Sequence, residues 1–367
     1  MRKYKNIISV VIFSLFLFSV SSICILKADA EYSDAERRPL AQKQELSAET
    51  LLNGKFMESF EEYTADQFPM RESLRKLKAF FATKVLGKVE NNGLYMTQNH
   101  ISKLDDPENE YMMNYAADKF SYLYNTLMKD KNVKLYFSIV PDKNFLLSPS
   151  YGVPHLDYEG FEERMKAKVD YMEYIDIKPL LSLDDYYRTD SHWKQENIRD
   201  VAQLLGEKMG TDVKAEYKEN ILDHPFYGVY AGQYALPVKP DTIKYLTSPA
   251  LDACTVTYYD TGAPKVGDMY NMKKATGKDP YEMFLSGTAP LITIENPNAK
   301  TQKELVLFRD SFGSSIAPLL AEGYKKITIV DIRYIQSSFV GNFVNFDNCD
   351  VLFLYSSTLL NNSTAMK

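Results

Sequence analysis

Two short segments carry the residue types that acyl-transfer chemistry needs. One is Tyr187-Arg188-Thr189-Asp190-Ser191-His192-Trp193; the other is the apolar run Glu304 to Phe308 continuing into Arg309-Asp310-Ser311-Phe312-Gly313-Ser314-Ser315. A serine hydroxyl is a poor nucleophile at neutral pH and needs a neighbouring base. That base must be oriented, and its cation stabilised, by a carboxylate. Ser311, His192 and Asp190 supply one group of each kind. Asp190 and His192 are two residues apart, so an extended segment points both to one side, with the carboxylate at Nδ1–H and Nε2 facing a hydroxyl. A plainer reading stands beside this one. Ser311 and Asp190 are both good helix N-caps, and His192 is then an ordinary surface residue. The chain has four histidines, His100, His155, His192 and His224, so candidate bases are few. His224 ranks second, with Asp223 as its one nearby carboxylate.

The elements around these segments alternate. Tyr111 to Lys129 reads as a helix and Val133 to Pro141 as a buried strand. Phe161 to Tyr174 reads as a helix, Ile175-Asp176-Ile177 as a short strand, and Trp193 to Met209 as a helix closed by Gly210. Glu304 to Phe308 is a strand, about Phe312 to Glu322 a helix, and Lys326 to Ile332 and Asp350 to Tyr355 are strands. Continuous apolar strands alternating with helices imply an α/β fold, a parallel sheet of about five strands covered on both faces. Ser311 then sits at a strand–turn–helix junction on the C-terminal edge of that sheet, where sites of open α/β folds form. The N–H groups of Ser311, Phe312 and Gly313 are candidate oxyanion donors there. Residues 211–300, rich in Tyr, Pro and Gly, read as an irregular insertion. Residues 47–88 read as two or three helices, interrupted at Asn53-Gly54 and Pro69.

Bulk properties narrow the field. The chain has 367 residues, 45% apolar and 25% charged, with a net charge of −6. It has no long basic run, which excludes a nucleic-acid partner of the usual kind. Arg2, Lys3 and Lys5 precede an apolar run from Ile7 to Leu26, an export signal. Ala28-Asp29-Ala30 favours cleavage, whereas a run of about 20 residues suffices for an uncleaved anchor. Either way residues 1–30 place the body outside the cytoplasm, as a surface-anchored or secreted protein. Residues 31–110 then form a linker, polar over 27–46, and a helical segment, and 111–367 form the main domain. Cys254 and Cys349 read as free thiols, with one disulfide as the alternative. Phosphate-cradling and dinucleotide glycine patterns are missing, as is His-Glu-x-x-His. Asp190, His192 and His224 lack a further ligand at metal spacing. No cofactor or metal is expected, and a monomer is.

Asp-Ser-His-Trp before a helix, with a strand–Arg-Asp-Ser-Phe–helix near the C-terminus, resembles the DHHW proteins of Gram-positive bacteria. These are similar to the AlgX/AlgJ alginate O-acetyltransferases of the SGNH hydrolase superfamily. Further matching stretches are Glu36 to Ala41, Asn53 to Phe56, Asp66 to Arg71, Asn91 to Tyr95, Val140 to Lys143 and Phe226-Tyr227-Gly228. The resemblance implies an SGNH-like three-layer α/β/α fold, a triad in the order Asp190, His192, Ser311, and a two-step transfer of acetyl to a cell-envelope or exopolysaccharide hydroxyl. It also implies a membrane-bound O-acyltransferase as donor partner. Two departures stand out: Ser191 occupies the place of the first His of DHHW, and Arg309 that of the Gly in Gly-Asp-Ser. Lys143, Asn144 and Tyr227 are candidate substrate contacts. Asp176 is either an acid behind the site or a turn residue, and Arg71 is a structural ion-pair former. The same triad also suits a surface esterase, and the same fold a non-catalytic polysaccharide-binding protein.

Overall fold

The computed structural model describes residues 2–260 and 263–367; the side chains of Arg2 and Lys3, two of the three N-terminal charges, lie outside that description. The chain divides into two compact units, Met1–Asn92 with Ala231–Pro237, and Gly93–Tyr230 with Val238–Lys367. The boundary expected near residue 110 therefore falls inside the second unit.

The second unit contains strands β1 (Leu94–Thr97), β2 (His100–Lys103), β3 (Lys134–Val140), β4 (Glu173–Tyr174), β5 (Lys218–Phe226), β6 (Asp241–Thr247), β7 (Thr255–Tyr258), β8 (Lys265–Gly267), β9 (Leu291–Glu295), β10 (Glu304–Arg309), β11 (Lys326–Val330) and β12 (Asp350–Ser356). Eight of them form one sheet in the order β8-β7-β9-β11-β10-β12-β3-β4. The five strands from β11 to β4 run parallel, as the sequence predicts. The other three pair antiparallel and come from the region read as an irregular insertion. The alternation that parallel strands lack is present there only in short runs, which hides such strands from a pattern search.

Both faces of the sheet are covered because successive side chains of a strand point to opposite sides. Leu305 and Leu307 of β10 pack with Trp193, Val201, Leu205, Ile316 and Leu320 on one face. Val306 and Phe308 pack with Phe120, Phe137, Phe161 and Phe353 on the other. The helices Arg199–Lys208 and Gly313–Leu320 supply the first layer, Glu110–Leu123 and Tyr158–Lys168 the second. The result is three layers, α/β/α. From β10 the chain steps to β11 on one side, then returns across β10 to β12 on the other. That reversal is a topological switch point, and it opens a crevice beyond the C-terminal ends of β10 and β12.

Three predicted elements shift. The helix expected from Trp193 begins at Arg199. Trp193 is bridged to Tyr186 instead, and Gln195–Asn197 forms a single 3₁₀ turn. The helix expected over 161–174 starts earlier, after Asp157 caps Gly160 N–H at 3.1 Å, and ends at Lys168. The strand predicted at 175–177 is Glu173–Tyr174.

In the first unit the helix Arg2–Leu26 includes the 23-residue stretch Tyr4–Leu26, within which an 18-residue window reaches a mean hydropathy of 2.5, long and apolar enough to cross a membrane. The loose polar linker predicted over 27–46 is replaced by a fastened one. Ala30 N–H donates to Gln67 Oε1 at 2.9 Å, and Gln67 Nε2 donates to the Ala30 and Ala41 carbonyls. Arg38 grips Asp66 through both carboxylate oxygens at 2.8 and 2.6 Å, and Ala41 N–H joins at 2.9 Å. The physical reason is Asp66 itself: a buried carboxylate must be paired and hydrogen-bonded, and the segment 38–41 supplies the partners. Arg71 bridges Glu36 at 2.5 Å and Asp66 at 3.2 Å, the structural role expected of it. The Arg38 hydrogen bond is the largest influence on Asp66 and holds its carboxyl down at about 2.

That shift fixes a pH dependence. A carboxyl whose pKa is lower in the folded chain contributes stability above its unfolded value of about 3.9, and loses it as pH falls through the folded value. Asp66→Asn is expected to lower stability at neutral pH and to flatten the loss seen between about pH 4 and 2. Thermal melts of both proteins over that range check it.

Candidate active site

The segment after Tyr186 is too short to be extended. The Tyr186–Trp193 bridge closes it, and Tyr187 N–H donates to the His192 carbonyl at 3.0 Å. Six residues, 187–192, therefore turn back on themselves, with several peptide groups facing inward. Each needs a partner. Lys143, 1% exposed, rises after β3 and donates from Nζ to the carbonyls of Tyr187 at 2.8 Å, Arg188 at 3.3 Å and Asp190 at 2.7 Å. Asp241 of β6 works from the other side. It accepts from the N–H groups of Arg188 and Thr189 at 3.1 and 2.8 Å, from Thr189 Oγ1 at 2.7 Å and from Arg188 Nε at 3.1 Å. An ammonium thus serves the loop's carbonyls and a carboxylate serves its amides.

Held this way, the loop presents Asp190 and His192 together. Asp190 Oδ1 lies 2.5 Å from His192 Nδ1 and accepts the His192 backbone N–H at 3.1 Å. Its Oδ2 accepts the Val229 N–H at 2.9 Å. His192 Nε2 lies 2.7 Å from Ser311 Oγ. The imidazole, 13% exposed, stacks on Tyr281 with ring centres 3.9 Å apart and planes 9° apart, and leans on Phe312 at 5.1 Å. Ser191, in the place of the first His of the motif, has its hydroxyl 3.5 Å from Asp190 Oδ1 and from His192 Nδ1.

Ser311 lies in the turn between β10 and the helix Gly313–Leu320. Its hydroxyl does not cap that helix; it meets the imidazole instead. Asp310 does the local work. Its Oδ1 accepts Phe312 N–H at 3.0 Å, its carbonyl accepts Gly313 N–H at 3.1 Å, and its Oδ2 ties the turn to Ser356 N–H at the end of β12 at 2.8 Å. This corrects the expected oxyanion donors: Phe312 and Gly313 N–H are already taken, and Ser311 N–H is the one of the three with no acceptor among the described residues. Arg309, buried, donates to Asp331, Gly287 O and Asp310 O, and so braces the turn from the position where Gly-Asp-Ser has its glycine.

The other candidates fall apart from the triad. Lys143 and Asn144 do not line a cleft, because both are 1% exposed and their polar atoms are spent within the protein. Asn144 Oδ1 accepts from Tyr95 at 2.7 Å and its N–H donates to Asp142 Oδ1 at 2.8 Å. Lys143 is held down at about 7, above all by burial. Tyr227 is half-exposed, next to Gly228. His224 is exposed on β5, and Asp176 is exposed and accepts from Lys178 N–H, the turn role. Cys254 and Cys349 are free thiols. Among the described residues no group of three His, Cys, Asp or Glu side chains is placed to hold a metal ion.

Sequence reasoning misses Tyr281, Asp241 and Gln195. Tyr281 also donates to Ser315 Oγ at 2.9 Å, and Trp193 Nε1 reaches the same oxygen at 2.8 Å. Gln195 Nε2 donates to Ser315 O at 2.7 Å, which fastens the histidine loop to the serine helix. Gly228 stands out in the sequence only as part of a motif. A Cβ there would stand 2.3 Å from Asp190 Cβ and 2.4 Å from Thr189 O, so that position admits nothing larger than glycine.

No family model and no curated protein sequence matches the chain. Solved structures do. A DHHW family protein from Eubacterium siraeum superposes with a TM-score of 0.59 and 21% identity, covering 76% of this chain and 95% of that one. Bacillus cereus PatB1, solved with a sulfonyl adduct, gives 0.57 and 21% over 73% and 97%. The O-acetyltransferase domain of Pseudomonas putida AlgJ is more distant, at 0.43 and 13% over 73% and 92%. The chain therefore has the fold of the DHHW protein and of PatB1.

Two substitutions probe the loop's supports. Gly228→Ala is expected to displace Asp190 and to cost about 1–3 kcal/mol in urea unfolding, the usual scale for overpacking a closed site. Lys143→Met, which leaves three carbonyls without their donor, is expected to cost about 3 kcal/mol in urea unfolding.

Proposed function

We propose that this protein is an extracytoplasmic O-acetyltransferase acting on a polysaccharide hydroxyl through Ser311, His192 and Asp190. One observation carries the reading: a single imidazole joins a buried carboxylate at 2.5 Å to a serine hydroxyl at 2.7 Å, the three groups coming from two segments 119 residues apart. A helix cap or a surface histidine has no need of that line.

In the first step His192 Nε2 takes the proton of Ser311 Oγ while Oγ attacks the carbonyl carbon of an acetyl ester or thioester. The charge that develops on the imidazole is stabilised by Asp190, and the neighbouring ring face of Tyr281 favours it further. The oxyanion is met by Ser311 N–H, at the positive end of the helix Gly313–Leu320. When the tetrahedral adduct collapses, the leaving oxygen or sulfur receives the proton from Nε2 and Ser311 is left acetylated. In the second step a sugar hydroxyl gives its proton to His192 and attacks that ester, and collapse returns the proton to Ser311. Ser311 is half-buried, His192 is mostly covered and Asp190 is wholly buried. PatB1 was solved with a sulfonyl adduct, and sulfonyl electrophiles trap activated hydroxyls, which suits the same reading here. The acetyl donor is a membrane-bound O-acyltransferase partner, by the family resemblance, and the N-terminal apolar helix suits a chain exported and held at the membrane.

Ser311→Ala is expected to lower acetyl transfer from a chromogenic acetyl ester by at least about 10⁴-fold with the thermal melt unchanged. Phenylmethylsulfonyl fluoride is expected to label the parent protein on Ser311 and to leave that variant unlabelled. Full activity in the variant refutes the assignment. With an oligosaccharide present, acetyl-sugar formation in excess of acetate release supports transfer, and acetate alone makes the protein an esterase.

A further inference from the structure

The N-terminal unit leaves an apolar face uncovered. Along the helix Arg71–Phe80 and the wider π turn Phe81–Val85 that continues it, Met70, Leu74, Leu77, Phe81 and Val85 recur every three or four residues. Residues so spaced share one side of a helix. All five are exposed, Leu77 to 61%, and Phe80, Leu86 and Val89 are exposed beside them. The other side is the one that packs: Ala79 is buried, Arg71 is paired with Glu36, and Arg75 donates to Gly232 O. A contiguous exposed apolar face of this kind marks an interaction site.

Charge and tethering both bear on its occupant. Residues 71–88 hold six basic side chains, Arg71, Arg75, Lys76, Lys78, Lys84 and Lys88, against the single acid Glu72. Lys76, Lys78, Lys84 and Lys88 are exposed and flank the stripe. The tether is the segment after the apolar helix. That helix ends at Leu26, and Ala30 is hydrogen-bonded on both its backbone groups to Gln67, three residues before Met70. Four residues extend at most about 14 Å. A chain whose first helix enters a bilayer therefore carries Met70 and the helix beginning at Arg71 at the lipid headgroups.

We infer that residues 70–89 form an interfacial amphipathic element that lies on an anionic membrane surface, Met70, Leu74, Leu77, Phe81 and Val85 dipping into the acyl boundary and the four lysines meeting anionic headgroups. An exposed apolar side with lysines on its margins is the pattern of helices that lie in the plane of a membrane. The element is a second contact beside the N-terminal helix and is independent of the Ser311 chemistry.

The test uses the full chain reconstituted into phosphatidylcholine vesicles with or without phosphatidylglycerol, the lipids carrying brominated acyl chains. The parent protein's single tryptophan, Trp193, is buried and supplies the background. Leu77→Trp is expected to be strongly quenched in the anionic vesicles, well beyond the Trp193 background of the parent protein. Each basic side chain at an anionic surface is worth about a fivefold gain in binding, so Lys76→Gln with Lys84→Gln lowers docking about 25-fold and the quenching with it. Quenching of Leu77→Trp no greater than that of the parent protein overturns the inference. Quenching indifferent to phosphatidylglycerol and to the lysine substitutions overturns the anionic surface. A concentration-dependent blue shift of Leu77→Trp in lipid-free solution, with no quenching by lipid, assigns the stripe to a second copy and overturns it too.

Discussion

Everything at the site depends on how a six-residue loop can be folded double inside a protein. An acid and a base two residues apart meet only if the backbone between them bends sharply, and a sharp bend turns peptide groups inward where water does not reach. The solution is two opposite charges, one for each kind of peptide group. The Lys143 ammonium takes the carbonyls of Tyr187, Arg188 and Asp190, and the Asp241 carboxylate takes the amides of Arg188 and Thr189. Neither charge is tolerable alone at that depth. Asp190 adds a carboxylate in direct contact with the imidazole, which suits a ring that becomes a cation.

The serine side is built on a different logic. Asp310 fastens the nucleophile's turn to the adjacent strand β12 through Ser356, and Arg309 fastens it to Asp331 of the next loop over. The turn is therefore set by neighbours in the sheet, whereas the histidine loop is set by groups beneath and beside it. Ser315 is where the two meet: its hydroxyl receives Trp193 and Tyr281, and its carbonyl receives Gln195. A hydroxyl that accepts two buried donors, one from the loop and one from the ring stacked on the imidazole, keeps the two halves in register.

The sequence makes the triad and the parallel half of the sheet legible because both are local. Ser311 follows an uninterrupted apolar strand, and Asp190 and His192 stand two apart in a chain with few histidines. Lys143 is visible as a residue at a strand end, but its burial is not, because lysines at such positions are ordinarily solvated. Asp241 and Tyr281 lie 51 and 91 residues beyond Asp190, in a stretch of weak periodicity, and no local pattern links them to it. The same stretch conceals β7, β8 and β9, whose three to five residues are too few to set a period. The fastening of residues 30–42 is hidden for the opposite reason: the segment is polar, and polar composition alone does not distinguish a loose chain from one held by a buried carboxylate such as Asp66.

The outline of the central sheet bears on what happens when many copies crowd together. Its two margins are β8, three residues long, and β4, two residues long. A margin that brief exposes few vacant amide and carbonyl groups, and a stray chain has almost no ladder to extend. Crowded copies are thus discouraged from merging edge to edge by the shape of the sheet, with no dedicated guard segment required.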